Sequence, residues 1–560
     1  MKEKIIKFTR DWERISDLAY ERRDKEDYVG ALSSLHYEDR KYKDPEVIAQ
    51  IADVYTQMNM FETAISYWYK YLRYSSERYY CEAYNALGAN YYFLNNDDLA
   101  GYYFNKQIKT GVTDEMVFSS VLEDYYLELQ EQKRDMYKVA YPKKQIDIDD
   151  DNLFDGKVLI AENRFAEAIE KFNLIGRNSE LYFEALVEKA YAEFNLGENE
   201  RAVSDVDLAI KNGEVSVHSL NLAINICSRL GDIDGIAEYI EILKGYEGDG
   251  DENYRKINLL CDLGLYDDAL ALIKEKKFDI SYTANAYYIS AVLTFNNGDI
   301  SSASDMMRNA YIITESPVAK YYLRYMEKVL RGKENFEKIS LSFDLPEKES
   351  ERRISIIKKV FSSIGKRESE VTASEFGEIA EWAFKATNER SIQLAAAIII
   401  IAYKMKKLMP VIEDALIDPS VSDDVKYRII SFLCEQGFTG KYCVVYGGIF
   451  KKIQLKIPQI EGEYADLFVK AYAYAFGRMS MVSDDCKKLL SATVRLFEKA
   501  QKSKIVIGSD DIIPLGCAIY ITSGMVGFRQ PDFEYKYFDA NKKSVQRILN
   551  ELNGEEDDRY

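Results

Sequence analysis

Histidine is almost missing from this chain: His36 and His218 are the two among 560 residues. Neither lies near a Ser or Cys motif or a second metal-binding side chain, so histidine-based zinc sites and Ser-His-Asp chemistry are nearly excluded. His218 reads as a surface or groove residue. Proline (9) and glycine (29) are also scarce, and a chain with few breakers and much Ala, Leu, Glu, Lys and Tyr favours helix. The seven cysteines are scattered and never form a CxxC pair, which predicts free thiols in a reducing, cytoplasmic setting. Long apolar runs are lacking too. Leu394 to Tyr403, "LAAAIIIIAY", is the longest, and a bilayer span needs about 20 residues, so a buried helix is expected there and no membrane span. The opening "MKEKIIKFTRDWERISDL" has no apolar core, so no signal peptide is expected. No G-x-x-x-x-G-K-[ST], GxSxG, GxGxxG or HExxH occurs. "GFTGKY" (437–442) and "SIGKRE" (363–368) lack the glycine spacing and the hydroxyl of a phosphate loop.

What remains is a folded-protein composition, 47% hydrophobic and 30% charged, with 44 tyrosines. The net charge of −19 is uneven. Residues 318–560 hold 38 Lys+Arg and 35 Asp+Glu, leaving 36 and 58 for residues 1–317, so the halves carry +3 and −22. An acidic first half repels phosphate backbones and attracts basic partners, and nucleic acid is not the expected ligand. Lysines 451, 452, 456, 499, 502 and 504 are basic spots in a half whose net charge is too small to change that reading.

A period runs through the first half. Ala31, Ala64, Ala100, Ala168, Ala202, Ile236, Ala269 and Ala303 are spaced by 33, 36, 68, 34, 34, 33 and 34 residues. Five residues before seven of them stand Asn59, Asn95, Asn163, Gly197, Gly231, Gly264 and Gly298, residue types that enter the left-handed conformation cheaply at a helix end. Four residues after them stand Leu35, Trp68, Phe104, Phe172, Val206, Ile240, Ile273 and Met307, all apolar and on the same helical face. At Ile236 the register could slip by one, to Ala237. The unit expected near 134 is not recognisable, and 115–150 reads as a degenerate repeat followed by a loop.

A helix–turn–helix unit of about 34 residues is the tetratricopeptide (TPR) period, and residues 12–317 resemble a TPR array. "NALGANYYFLNNDDLAGYYF" (85–104) matches best, with Gly88 and Ala100 where two antiparallel helices cross and Leu87, Tyr91 and Phe104 filling the space beside the crossing. The resemblance implies a superhelix whose first helices line a concave groove that binds a segment of another protein, and implies no catalysis and no cofactor. Groove positions carried over onto this chain are Tyr20, Asp53, Tyr92, Tyr191, Phe194, Tyr254, Asn258, Tyr288 and Phe295. Repeat-packing positions are Gly88, Ala64, Ala100, Ala168, Ala202, Ala269 and Ala303. Lys157 is the one basic candidate on the groove, so capture of a terminal carboxylate by Lys, Arg and Asn is not expected. An acidic, aromatic groove favours a basic or amphipathic segment.

Beyond 317 the period is lost. Residues 318–353 read as a linker and 354–560 as a helical domain. "PVIEDALIDPSVSDDVKYRIISFLCEQGF" (410–438) resembles one HEAT-type unit, with Ser422 or Asp423 as helix N-cap. "YCVVYGGIFKKIQLKIP" (442–458) alternates about Gly447-Gly448 and reads as a β-hairpin. "DIDDDNLFDGKV" (147–158) has calcium-loop spacing at Asp147, Asp149 and Asp151, but Asn152 and Val158 replace the required Gly and Glu, leaving a solvated acidic loop. The expectation is therefore all-α: an α-solenoid followed by a mostly helical domain with a small hairpin. It points to an adaptor that binds a protein or peptide. A peptide-sensing regulator with its output in 354–560 is the alternative, and an enzyme with an acid-only site at Glu461, Glu463 and Asp466 is a third reading.

Overall fold

The structure is a computed structural model and describes residues 11–110, 148–276, 283–365, 373–483, 486–503, 505–524 and 531–553. The degenerate repeat and loop expected at 115–150 lie largely outside these residues.

Eight antiparallel helix pairs form the first half: α1 (Asp11–Asp24) with α2 (Tyr28–Tyr42), α3 (Pro45–Gln57) with α4 (Phe61–Tyr74), α5 (Tyr80–Phe93) with α6 (Asp97–Lys109), α7 (Ile148–Ala161) with α8 (Phe165–Phe172), α9 (Tyr182–Leu196) with α10 (Asn199–Lys211), α11 (Val217–Leu230) with α12 (Ile233–Gly245), α13 (Gly250–Asp262) with α14 (Tyr266–Lys276), and α15 (Thr283–Asn296) with α16 (Ile300–Thr314). The turns explain the pairing. Asn59, Asn95, Asn163, Gly197, Gly231, Gly264 and Gly298 all have φ between 56° and 92°, the left-handed stop that lets the chain reverse. Glu26 occupies the same place in the first pair at φ 59°, a residue type the sequence did not mark.

The small residues sit at the crossings. Ala31, Ala64, Ala100, Ala168, Ala202, Ala269 and Ala303 are all 0% exposed. A Cβ on Gly88 would stand 2.6 Å from the Phe104 ring, and one on Gly156 would stand 2.3 Å from the Phe172 ring. In the sixth pair no slip to Ala237 occurs. Ala237 is exposed and Ile236 half-buried, and Gly235 makes the close approach, its Cβ position lying 3.0 Å from Cys227 Sγ on α11.

Between neighbouring pairs first helices pack on first helices, α7 on α9, α9 on α11 and α11 on α13, and among the described residues no second helices of neighbouring pairs approach as closely. That places the first helices on the inner, shorter-radius side of an α-solenoid of TPR-like repeats. Residues 147–158, expected as an acidic loop, belong from Ile148 onward to α7, because Leu153 is buried against the next helix and sets a helical period.

The region 318–353 is not a linker. α17 (Pro317–Leu330) follows directly, capped by Ser316 and started by Pro317, and packs on α16 as the first helix of a further unit. Residues 331–346 then run extended back along α17 and α15. Ten more helices follow among the described residues: α18 (Glu347–Phe361), α19 (Ala373–Lys385), α20 (Arg390–Ala402), α21 (Met409–Ile417), α22 (Asp423–Glu435), α23 (Ala465–Val482), α24 (Lys487–Lys502), α25 (Ile512–Thr522), α26 (Pro531–Tyr537) and α27 (Lys542–Asn553). The apolar run of 394–403 is buried in α20. α21 and α22 supply the two helices of the HEAT-like segment, with Ser422 at the N-cap, but α21 packs chiefly on the hairpin strand and on α4. Arg478 and Glu534, nearly buried, form a two-bond ion pair of 3.0 Å each, between the rings of Tyr520 and Tyr537. Among the described residues no helix is long and apolar enough to cross a membrane.

The hairpin joins β1 (Gly440–Tyr446) to β2 (Ile449–Leu455), with Tyr446 opposite Ile449. Gly447 and Gly448 both have positive φ, 53° and 76°, the two-residue turn whose twist matches an antiparallel pair. Its tip docks on α4–α6. Tyr69 and Tyr103 each donate a 2.6 Å hydrogen bond to the Gly448 carbonyl, and Tyr91 hydrogen-bonds Tyr69. No side chain fits at Gly448, where a Cβ would lie 2.5 Å from Leu99. From behind, buried Lys426 donates to the Val445 carbonyl at 2.8 Å.

Candidate peptide-binding groove

The inner face is built from first-helix side chains one to three turns before each stop. At its start Tyr20 is 41% exposed, with the Arg23 guanidinium 4.4 Å over its ring. Asp53 on α3 is half-buried, and burial, then the charge of Glu82 on α5, pushes its carboxyl up to about 6 against the pull of Arg23 on α1. Three successive first helices thus present charge to one another on this face. Tyr92 is half-buried, edge-on to Phe93.

Farther along, Tyr191 on α9 lies 6.2 Å from the ring of exposed His218 on α11, and Phe194 carries the Arg229 guanidinium 4.0 Å above it. Tyr254 and Asn258 on α13 are half-buried, and the Tyr254 hydroxyl accepts a 3.0 Å hydrogen bond from Asn285 on α15. These aromatic rings keep an open side, which suits contact with a chain laid along the face. Lys157 is already paired, 2.6 Å from Glu184 and 3.6 Å from Glu188.

Tyr288 and Phe295 require correction as positions open to a partner, since both are 0% exposed. The chain's own residues 335–345 cover them. Phe336 stacks on Phe295 at 4.9 Å, and Phe343 meets Tyr288 edge-on at 4.7 Å. The segment is gripped by its backbone. Asn296 donates to the Ile339 carbonyl and accepts from the Ile339 N–H, both at 2.9 Å. Tyr288 donates to the carbonyls of Ser342 (2.9 Å) and Ser340 (3.2 Å), Tyr322 to that of Asp344 (3.0 Å), and Tyr325 to that of Asn335 (3.0 Å) while accepting from the Glu337 N–H (2.8 Å). Sequence reasoning missed Asn296, Tyr322 and Tyr325. The period-two run "ISLSFDL" (339–345), apolar at every second residue, is the signal that could have found their ligand.

The array also closes on itself. The Tyr55 hydroxyl on α3 donates to the Ile313 carbonyl at the end of α16 (2.7 Å), and Tyr67 donates to Glu315 (2.9 Å). His36, 2% exposed, lies 3.0 Å from Tyr55, whose one proton is spent on Ile313, so the imidazole Nε2–H is the donor between them. Burial pushes the His36 imidazole down to about 4.

The lysines of the hairpin serve the fold: Lys451 reaches the Met481 carbonyl at 2.8 Å, and Lys452 lies over the Tyr80 ring. Glu461, Glu463 and Asp466 stand exposed around the start of α23.

No family model matches the chain, and no curated protein matches it. Among solved structures it is similar to a chain of the TPR2AB-domain:pHSP90 complex of yeast Sti1, with TM-score 0.20, 14% identity and coverage of 54% of this chain and 97% of that one. It is also similar to yeast Tom70, with TM-score 0.25, 13% identity and coverage of 75% and 94%. Scores this low add nothing to the geometry, and the repeat assignment rests on the helices themselves.

Proposed function

We propose that the protein is an adaptor that binds an extended or amphipathic segment of another protein along the first helices α9, α11 and α13, through Tyr191, Phe194, Tyr254 and Asn258. The observation that carries this reading is the occupied end of the same face: α15 and α17 hold a stretch of extended chain by its backbone carbonyls and alternate apolar side chains. The −22 charge of residues 1–317 favours a basic segment. The scattered cysteines, none in a CxxC spacing, suit a reducing, cytoplasmic setting. A regulator whose output lies in the second half is the competing reading, favoured by the covalent continuity between the bound stretch and α18.

Fluorescence anisotropy of the full chain with a labelled Lys/Leu amphipathic peptide and its Glu-for-Lys counterpart tests the adaptor reading. The basic peptide is expected to bind, weakly at high salt because the attraction is screened. Tyr191→Ala with Tyr254→Ala is expected to weaken it about tenfold or more. Equal binding of both peptides, or indifference to the two substitutions, would overturn the reading.

A further inference from the structure

Residues 334–345 have the chemistry of a bound ligand rather than of a connector. Their side chains alternate: Ile339 and Leu345 are 7% exposed, Leu341 and Phe343 are half-buried between them, and Ser340, Ser342 and Asp344 face solvent. That is the pattern of a strand with one face on a surface. The surface belongs to α15 and α17, and every polar contact it makes to residues 335–344 reaches backbone: the carbonyls of 335, 337, 339, 340, 342 and 344 and the N–H groups of 337 and 339. Backbone contacts do not read side chains, so specificity comes from the spacing of the apolar anchors. At the entry end Glu334 lies 3.0 Å from Lys328, beside a cavity of about 330 Å³ in which Lys320 and Arg324 pair with Glu378, and Arg352 and Arg353 with Glu349. Lys328 is therefore the cation that an acidic residue at this end of the strand meets.

We propose that the α15–α17 face is a second docking site, distinct from the α9–α13 groove, for an extended segment of another protein with an acidic residue followed by apolar residues at every second position, and that residues 334–345 are its resident occupant in this chain. The proposal rests on the adaptor reading but concerns other residues. The entry half of the occupant, 334–338, is exposed along its length, and Phe336 keeps 44% of its surface, so an incoming strand can displace it stepwise from that end. A tethered occupant has an effective concentration of about millimolar, so a free segment competes poorly until the tethered one is weakened.

The test uses the full chain and a labelled synthetic peptide of residues 333–347. In the variant Ile339→Asp with Leu345→Asp the tethered anchors are removed, and the peptide is expected to bind at least about tenfold more tightly than to the unaltered chain. Adding Asn296→Ala is expected to abolish that gain, a peptide with its four anchors made contiguous is expected not to bind, and Tyr254→Ala in the other groove is expected to leave the peptide's binding unchanged. Should the double variant lose its helical signal, Ile339→Ser replaces it, with hydrogen exchange at 337–345 showing that the occupant has left. A folded variant that binds the peptide no better than the unaltered chain would overturn the proposal, as would equal binding of the rearranged peptide. A loss caused by Tyr254→Ala would place the peptide in the adaptor groove instead and would likewise overturn it.

Discussion

At the residue scale the array is held by matched volumes at one recurring crossing. The first-helix residue at the crossing and its second-helix counterpart, sixteen residues later, are Ala19 and Leu35, Ala52 and Trp68, Gly88 and Phe104, Gly156 and Phe172, Ala190 and Val206, and Ala291 and Met307. The largest rings face Gly or Ala, as close packing requires, and a change on one side is felt by the other. Gly88→Ala is expected to destabilise by about 1–2 kcal/mol net, the overpacking against Phe104 being partly offset by the better helix propensity of Ala. Phe104→Leu in the same chain should recover part of that loss, an interaction that urea unfolding of the two single variants and the double variant will reveal. Additive losses would mean the contact does not set the crossing.

At the element scale, most of the helix pairs and the hairpin were legible because each has a local cause in residue type: Asn or Gly at the stop, a small residue at the crossing, Gly447-Gly448 at the turn. What was not legible depends on contacts between distant segments. Residues 331–346 look like a polar connection, because alternation with serine keeps their mean hydropathy low, and their order comes from Tyr288, Asn296, Tyr322 and Tyr325. The same holds for Tyr69 and Tyr103, whose ligand, the Gly448 carbonyl, lies more than three hundred residues away. For the groove, residue type marked an aromatic face, but it could not mark which part the chain covers itself. α7 was misread as a loop because its first-turn aspartates resemble a solvated run, although acidic side chains also suit a helix start.

At the scale of the whole molecule, α2–α4 are clasped by the end of α16, and α4–α6 by the hairpin. Acid should loosen the first clasp. The imidazole of His36 titrates at about 4 in the fold instead of 6.5, so the unfolded chain binds the extra proton first as pH falls; its contribution is complete above 6.5 and is lost progressively down to 4, on the order of 3 kcal/mol in all. Burial opposes ionisation of Glu315, but His36, Lys385, Lys70 and the Tyr67 hydroxyl outweigh it and hold the carboxyl at about 2, so its contribution begins to fade only below 4.5. Asp53, raised to about 6, works in the opposite sense, its contribution being lost as pH rises through that value. Because Asp53 opposes His36 over most of this window, urea unfolding between pH 6.5 and 4 is read in Asp53→Asn, where a decline is expected that a further His36→Gln change flattens; an unchanged slope in the double variant would remove His36 from the clasp.

The central claim is that the first-helix face of the array, and not its outer face, receives another polypeptide. Photo-crosslinking of the full chain tests it most directly, with a benzophenone amino acid placed at Tyr254 on the inner face or at exposed Leu208 on the outer face of α10, and the Lys/Leu peptide as probe. The account predicts a salt-sensitive adduct from position 254 and none from 208. An adduct from 208 with none from 254 would contradict it.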